Sequence, residues 1–247
     1  MPQNKYDDPA FFAAYSAMPR SLGGLGASLE WPVLRAMLPD LHGRRVLDLG
    51  CGFGWHCRFA REQGAASVLG VDLSERMLAR AAQLTDDPAI VYRRCAVEDL
   101  VAEPGSFDVV LSSLALHYVE RFDLVCQWVY RALADGGSFV LSVEHPVFTA
   151  RAEQEWWRGG DGTALHWPLD GYQEEGLRRT GWLAENVVKY HRTFSTYINS
   201  LIEAGFRIER VAEPGPPAWA LAERPELADE LRRPMFLLIG AGKTDPR

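Results

Sequence analysis

Asp48, Gly50, Gly52, Gly54 and Asp72 are the residues whose types and spacing most directly prescribe chemistry. An apolar run, Val46 to Leu49, leads straight into the three glycines, and a second run, Ser67 to Val71, ends on Asp72. Glycines between a strand and a helix let the main chain approach a ligand, because no Cβ intervenes and positive φ costs little. An acidic residue about 20 positions on can accept from both hydroxyls of a ribose. The pattern predicts a nucleoside cleft at the carboxyl ends of adjacent parallel strands. In the dinucleotide fingerprint G-x-G-x-x-G, the third glycine would fall on Trp55. That bulk argues against a pyrophosphate at the helix start, and so against a nicotinamide-dependent oxidoreductase. No G-x-x-x-x-G-K-[ST] phosphate loop occurs. A ligand with a ribose and an amino-acid tail, but no phosphate, suits the loop.

Asp48-x-Gly50-x-Gly52-x-Gly54 together with Asp72 resembles motif I and the acidic strand end of class I S-adenosylmethionine-dependent methyltransferases. Asp72 to Leu78 resembles the family's turn into its second helix, and Val97-Glu98-Asp99-Leu100 the segment bracketing the adenine. Ser106 to Ser113 resembles the fourth strand, and Ala134 to Val140 the turn into the fifth. The similarity covers residues 44–145 well and the ends more loosely; as a set it is specific, although each motif alone is weak. It implies S-adenosyl-L-methionine as cofactor and S-adenosyl-L-homocysteine as product. On this resemblance Gly50, Cys51, Gly52 and Gly54 form the loop cradling the tail and ribose. Asp48 orients that loop and the tail's ammonium through backbone or water, and Asp72 binds the ribose diol. Leu73 and Met77 lie near the adenine face, though Met77 also suits plain helix core. Glu98 and Asp99 sit at the adenine edge, with Asp99 accepting from the amino group and Leu100 bordering the ring.

Catalytic candidates come from strand ends, where open α/β sheets place ligands. Leu116-His117-Tyr118 follows the fourth strand and Glu144-His145-Pro146 the fifth. Histidine titrates near neutrality, so His117 and His145 are candidates to remove a hydroxyl or ring N–H proton. The alternative for His117 is a helix-start residue packed beside the adenosine. Tyr118, Trp156, Trp157, Tyr190 and His191 are candidate acceptor contacts; His191 also reads as a solvated loop residue. Ahead of the sheet, Tyr15 and Arg20 suit a lid helix over the cofactor carboxylate, which arginine can grip through two parallel hydrogen bonds. A plain amphipathic surface helix is the competing reading.

The elements that must position these groups follow from periodicity. Apolar runs at 45–49, 67–71, 90–92, 107–112 and 138–143 are too short for helices and read as buried parallel strands. Helical spacing occupies 8–18, 28–38, 55–63, 75–83, 121–134 and 196–204. The alternation predicts an α/β doubly wound, Rossmann-like sheet with helices on both faces. Strands at 206–211 and 235–239 complete it; by the resemblance the sheet has seven mostly parallel strands with the last antiparallel. Residues 146–193 contain four of the chain's eight tryptophans and many helix-breaking glycines. This segment reads as a substrate cap with one or two short strands, including 186–190, or as a loop whose aromatics only fasten it to the sheet edge. Four segments are expected: a helical lid (1–43), a cofactor-binding core (44–145), the cap (146–193) and a C-terminal completion of the sheet (194–247).

At 247 residues with net charge −7, the chain can bury a large core but lacks an electrostatic footprint for nucleic acid. No run of about 18 apolar residues predicts a membrane span. Residues 1–5 lack the layout of a signal peptide. Four cysteines without a C-x-x-C pair fit a reducing cytoplasm. No [DNS]-P-P-[YFW] tetrad of exocyclic-amine nucleic-acid methylases follows the fourth strand, where Ser112-Ser113-Leu114-Ala115 stands. No cysteine is placed as a cytosine C5 nucleophile, and no magnesium-ligating cluster is recognisable, so no metal is expected. Expected is therefore an enzyme that methylates an O, N or C atom of a small planar or apolar molecule. An aminopropyltransferase and a noncatalytic cofactor binder are the alternatives. Monomer and homodimer both stay open.

Overall fold

The computed structural model describes residues 3–244. Met1 and Pro2, where the leader-peptide reading begins, and Asp245 to Arg247, the end of the expected last segment, lie outside the described residues. Three short helices precede the sheet: α1 (Pro9–Ser16), α2 (Pro19–Gly23) and α3 (Trp31–Arg35). The Asp8 carboxylate caps α1 by accepting from the Ala10 and Phe11 amides, and each of the three has proline in its first turn, where a missing N–H goes unnoticed.

Strands and helices then alternate: β1 (Arg45–Leu49), α4 (Trp55–Glu62), β2 (Ser67–Asp72), α5 (Glu75–Gln83), β3 (Ile90–Arg94), β4 (Phe107–Ser113), α6 (Phe122–Ala132) and β5 (Leu133–Glu144). After α7 (Pro146–Thr149) come two hairpins, β6 (Trp157–Arg158) with β7 (Ala164–His166), and β8 (Gly176–Thr180) with β9 (Val187–His191). Helix α8 (Phe194–Glu203), β10 (Arg207–Ala212), α9 (Ala218–Glu223) and β11 (Phe236–Gly242) finish the chain. The main sheet has seven strands in the order β3-β2-β1-β4-β5-β11-β10. Neighbours among β1 to β5 pair in parallel, while β11 runs antiparallel to both β5 and β10. This is the expected doubly wound, Rossmann-like architecture.

Burial explains why the central strands are nearly uniform in valine and leucine. Leu47, Leu49, Val110, Leu141 and Ile239 are inaccessible to solvent, each contributing about 1.5–3 kcal/mol. Helices α6 and α8 cover one face through Phe122, Val125, Val129, Tyr197 and Leu201. Cys57 and Ala60 of α4 and Trp31 and Leu34 of α3 serve the other.

Three details depart from the sequence reading. Strand β5 starts at Leu133, inside the predicted helix, because Leu133 pairs with Phe107 before the register shifts. The 146–193 segment holds four short strands rather than one or two. Between β10 and β11, where nothing regular was expected, α9 and a 3-10 turn (Pro225–Arg232) occur. That turn holds the β6–β7 hairpin: Arg232 donates to the Ala164 and Leu165 carbonyls at 2.8 and 2.5 Å. The neighbouring Arg233 guanidinium lies 3.9 Å from the Trp167 ring centre.

Candidate functional site

The bend after β1 is bare backbone. Gly50 adopts φ 75°, and a Cβ there would collide with that of Ala115; only glycine satisfies both constraints. The Gly50 and Cys51 amides donate to the Val71 carbonyl at 2.8 and 3.0 Å, strapping the bend to the end of β2. Asp72 completes the strap. Its Oδ2 accepts from the Gly52 amide and its Oδ1 from the Ser74 amide, both at 2.9 Å. Burial raises the Asp72 carboxyl above its ordinary range, against the pull of these two donors. Trp55, where the dinucleotide fingerprint would have its third glycine, packs its indole against Gly24, whose Cβ would lie 2.8 Å from the ring. The start of α4 thus faces the N-terminal segment.

A cavity of about 380 Å³ opens from this bend, with Gly50, Gly52, Asp72, Leu73, Met77 and Glu98 on one wall. Asp48 and Cys51 lie beneath the loop instead. Asp48 is buried; its Oδ2 accepts from Cys57 Sγ at 3.3 Å and its Oδ1 has no partner. Burial pushes its carboxyl up to about 7. Asp99 is turned onto a neighbouring cavity of about 330 Å³, and Leu100 is buried in the core. Within the one-turn helix Val97–Asp99, successive side chains point different ways, so Val97 and Glu98 meet the main cavity where Asp99 and Leu100 were expected.

The N-terminal segment closes the cavity from above. Tyr15 and Arg20 both line it. Arg20 Nη2 lies 3.4 Å from Glu30 Oε1, and Glu30, 2 % exposed, also accepts from Ser113 Oγ at 3.5 Å. Tyr6 is the hub of an aromatic group: its ring centre lies 4.9, 5.3, 6.2 and 6.5 Å from those of Phe11, Tyr15, Tyr118 and Trp182. Two anchors hold the segment down. Gln3 donates to the Asn186 carbonyl and accepts from the Val188 amide, each at 2.9 Å, on the edge of β9. Asp7 accepts from Ser74 Oγ at 2.6 Å and the Arg76 amide at 3.1 Å, just past Asp72.

Opposite the glycine bend lie His117, Tyr118, Glu144, Phe148 and Trp182. His117 is 2 % exposed. Its Nδ1 accepts from the Glu144 amide at 3.4 Å and its Nε2 sits 4.0 Å from Glu144 Oε1. Burial lowers its pKa to about 4, so the ring is neutral. Glu144 accepts from Lys189 Nζ through Oε1 at 2.6 Å and from Gln154 Nε2 through Oε2 at 3.2 Å. Burial alone would raise the Glu144 carboxyl; His117 and Lys189 outweigh it and hold it below its ordinary value.

Besides Asp48, Cys51, Asp99 and Leu100, the structure sets five further expected site residues apart from this cavity. His145 points to the other side of the strand end, where its Nδ1 accepts from the Val147 amide at 3.0 Å and its Nε2 donates to Glu213 at 2.6 Å. It caps α7. His191 is fully buried, not solvated: its Nε2 donates to the Tyr172 carbonyl at 2.9 Å and its Nδ1 accepts from Thr149 at 2.8 Å. Trp156 packs edge-on against Trp167, with Arg232 4.6 Å from its ring centre; Trp157 is 60 % exposed. Both serve the β6–β7 hairpin. Tyr190 lines the neighbouring cavity. Tyr6, Glu30, Glu144, Trp182 and Lys189 take part without having been singled out. For Glu144 the signal was present, since it stands beside His145 at the end of a predicted strand, whereas Lys189 fell within the strand expected at 186–190.

Among the described residues no group of three or more His, Cys, Asp or Glu side chains is placed to hold a metal ion, and no helix is long and apolar enough to cross a membrane.

A model of a methyltransferase domain family matches residues 47–141. A solved S-adenosylmethionine dependent methyltransferase from Mesorhizobium loti is 52 % identical, covering 89 % of this chain and 100 % of that one, with a TM-score of 0.83. An uncharacterized protein of Haemophilus influenzae is 36 % identical over 251 residues, 97 % of each chain. A tRNA U34 carboxymethyltransferase of Alcanivorax borkumensis is 34 % identical over 116 residues, only 45 % of this chain and 36 % of that protein.

Proposed function

Since the chain belongs to the class I S-adenosylmethionine-dependent methyltransferase family and is an enzyme of that family, we propose that it methylates a small, planar or apolar molecule in the 380 Å³ cavity. One observation carries this reading: the glycine bend with Asp72, and the Tyr118–Glu144–Trp182 wall opposite, border a single space under the N-terminal segment. Its size falls within the range of small-ligand sites, and its roof is pinned at Gln3 and Asp7. A polymeric acceptor would have to displace that roof, and net charge −7 disfavours a polyanion. The likeness to tRNA U34 carboxymethyltransferases covers 45 % to 65 % of this chain and 36 % to 57 % of those proteins, and it is on the cavity's size and the chain's charge that we assign no nucleic-acid acceptor.

The residues present fit the cofactor. Gly50 and Gly52 present bare backbone to the cavity, and Asp72, held by two amides, keeps lone pairs for a ribose diol. Leu73, Met77 and Val97 offer apolar surface to an adenine, and Glu98 its edge. Tyr15 and Arg20 reach the tail from the lid, with Glu30 steadying the guanidinium. When bound, S-adenosyl-L-methionine supplies a methyl group on positively charged sulfur. The protein's task is to orient an acceptor against it and keep water out, an effect worth up to about 7–11 kcal/mol. In this scheme residues 1–43 act as a lid and 146–193 as a cap, with Trp182 and Phe148 against the acceptor. His117, its Nδ1 occupied by the Glu144 amide, carries its proton on Nε2 and touches the acceptor as a donor rather than as a base.

Labelled cofactor incubated with a panel of small phenols and amines, and in parallel with bulk tRNA, tests the proposal. Release of S-adenosylhomocysteine with small molecules supports it; label transferred only into tRNA overturns it.

A further inference from the structure

We propose that Glu144 takes the proton the acceptor gives up, so that this enzyme methylates an O–H or N–H group of a planar molecule; this rests on the small-molecule reading above. Glu144 ends β5, at the carboxyl edge of the sheet, and its side chain borders the cavity. Two cap residues hold it: Lys189 Nζ at 2.6 Å and Gln154 Nε2 at 3.2 Å. Lys189 is 1 % exposed, and its ammonium also donates to Gln154 Oε1 and lies 5.4 Å from the Trp182 ring centre. A buried ion pair contributes little to stability against a well-packed apolar pair. Placing one at the wall of a cavity instead keeps a carboxylate ionised where a ligand meets it. Each carboxylate oxygen has a lone pair beyond the one already engaged.

The 4.0 Å between His117 Nε2 and Glu144 Oε1 is too long for a hydrogen bond. One proton-bearing atom can touch both, accepting from His117 and donating to Glu144. As methylation proceeds the acceptor's O–H or N–H bond breaks, its electron pair stays on the acceptor atom, and the proton ends on Glu144 as a carboxylic acid. The positive charge lost at sulfur is matched by the carboxylate's neutralisation, so the net charge of the site is constant. Ionisable groups bearing on Glu144 are His117 and Tyr118 after β4, Lys189 on β9, Tyr197 on α8 and Arg233 before β11. Lys189 is a positioning residue.

The probes are 4-methylphenol and 4-methylanisole, the same planar body with and without the proton. Both are titrated by calorimetry into protein saturated with S-adenosylhomocysteine. The wild type should prefer the phenol by 10-fold or more, and the double variant Glu144→Met/Lys189→Met, which leaves no lone buried charge, should bind the two equally. Lys189→Met alone should move the acid limb of the preference up by a pH unit or more, which loss of packing would not do. If the double variant does not hold S-adenosylhomocysteine, Glu144→Gln carries the test: its preference should be flat with pH where the wild type loses its own on acidification. Equal affinities in the wild type, no binding of either probe, a preference surviving in the double variant, or a wild-type-like pH dependence in Glu144→Gln overturns the assignment. Failure of the wild type to bind S-adenosylhomocysteine at all would instead sink the functional reading beneath it.

Discussion

The Gly52 amide donates to the Asp72 carboxylate at 2.9 Å, so the bend after β1 and the acid at the end of β2 move as one unit. Removing the carboxylate therefore removes both a ribose acceptor and the strap that shapes the bend. Asp72→Ala should weaken S-adenosylhomocysteine binding at least 100-fold, while loss of the internal hydrogen bonds costs about 1–2 kcal/mol of stability. Calorimetry and urea unfolding on the same protein separate the two effects.

Gly50→Ala tests the bend itself. A left-handed φ in a residue with a Cβ costs about 1–2 kcal/mol, and overlap with Ala115 adds about 1–3 kcal/mol. The melting temperature should fall by about 10 °C. Adding Ala115→Gly should restore the steric part only, so the double variant should melt between the two.

His145→Ala should leave cofactor affinity and turnover unchanged and lower stability by about 1 kcal/mol, the worth of a helix cap. A turnover loss of 10-fold or more in a folded variant would return His145 to the chemistry.

His117 makes the protein acid-sensitive. Burial lowers its pKa from 6.5 to about 4, so the unfolded chain binds its proton first. The stability it favours is present above about pH 6.5 and is lost as pH falls toward 4, on the order of 3 kcal/mol in all. Urea unfolding across this window should show a shallower decline in His117→Gln than in the wild type.

What the sequence made legible was local. The glycine bend, Asp72 and the alternation of strands and helices depend on neighbours within a few residues, and the architecture follows from them. The acceptor end depends on parity and distance. At the end of β5, Glu144 and His145 point to opposite sides, because successive strand residues alternate. The histidine looked the more reactive, yet the glutamate faces the cavity. In β9, Lys189 and His191 share the buried face while Tyr190 looks outward to the second cavity. Nothing within the sequence of residues 146–193 says that Trp182 meets Tyr6 and Tyr15 of the N-terminal segment, or that Trp156 and Trp167 pack against Arg233. Those contacts join segments tens of residues apart.

A crystal structure of the protein grown with S-adenosylhomocysteine tests the central claim most directly. The ribose hydroxyls should lie within hydrogen-bond distance of the Asp72 carboxylate, the tail against Gly50 and Gly52, and the sulfur should face the Tyr118–Glu144–Trp182 wall. Density for the ligand outside this cavity, or a ribose that leaves Asp72 untouched, would contradict it.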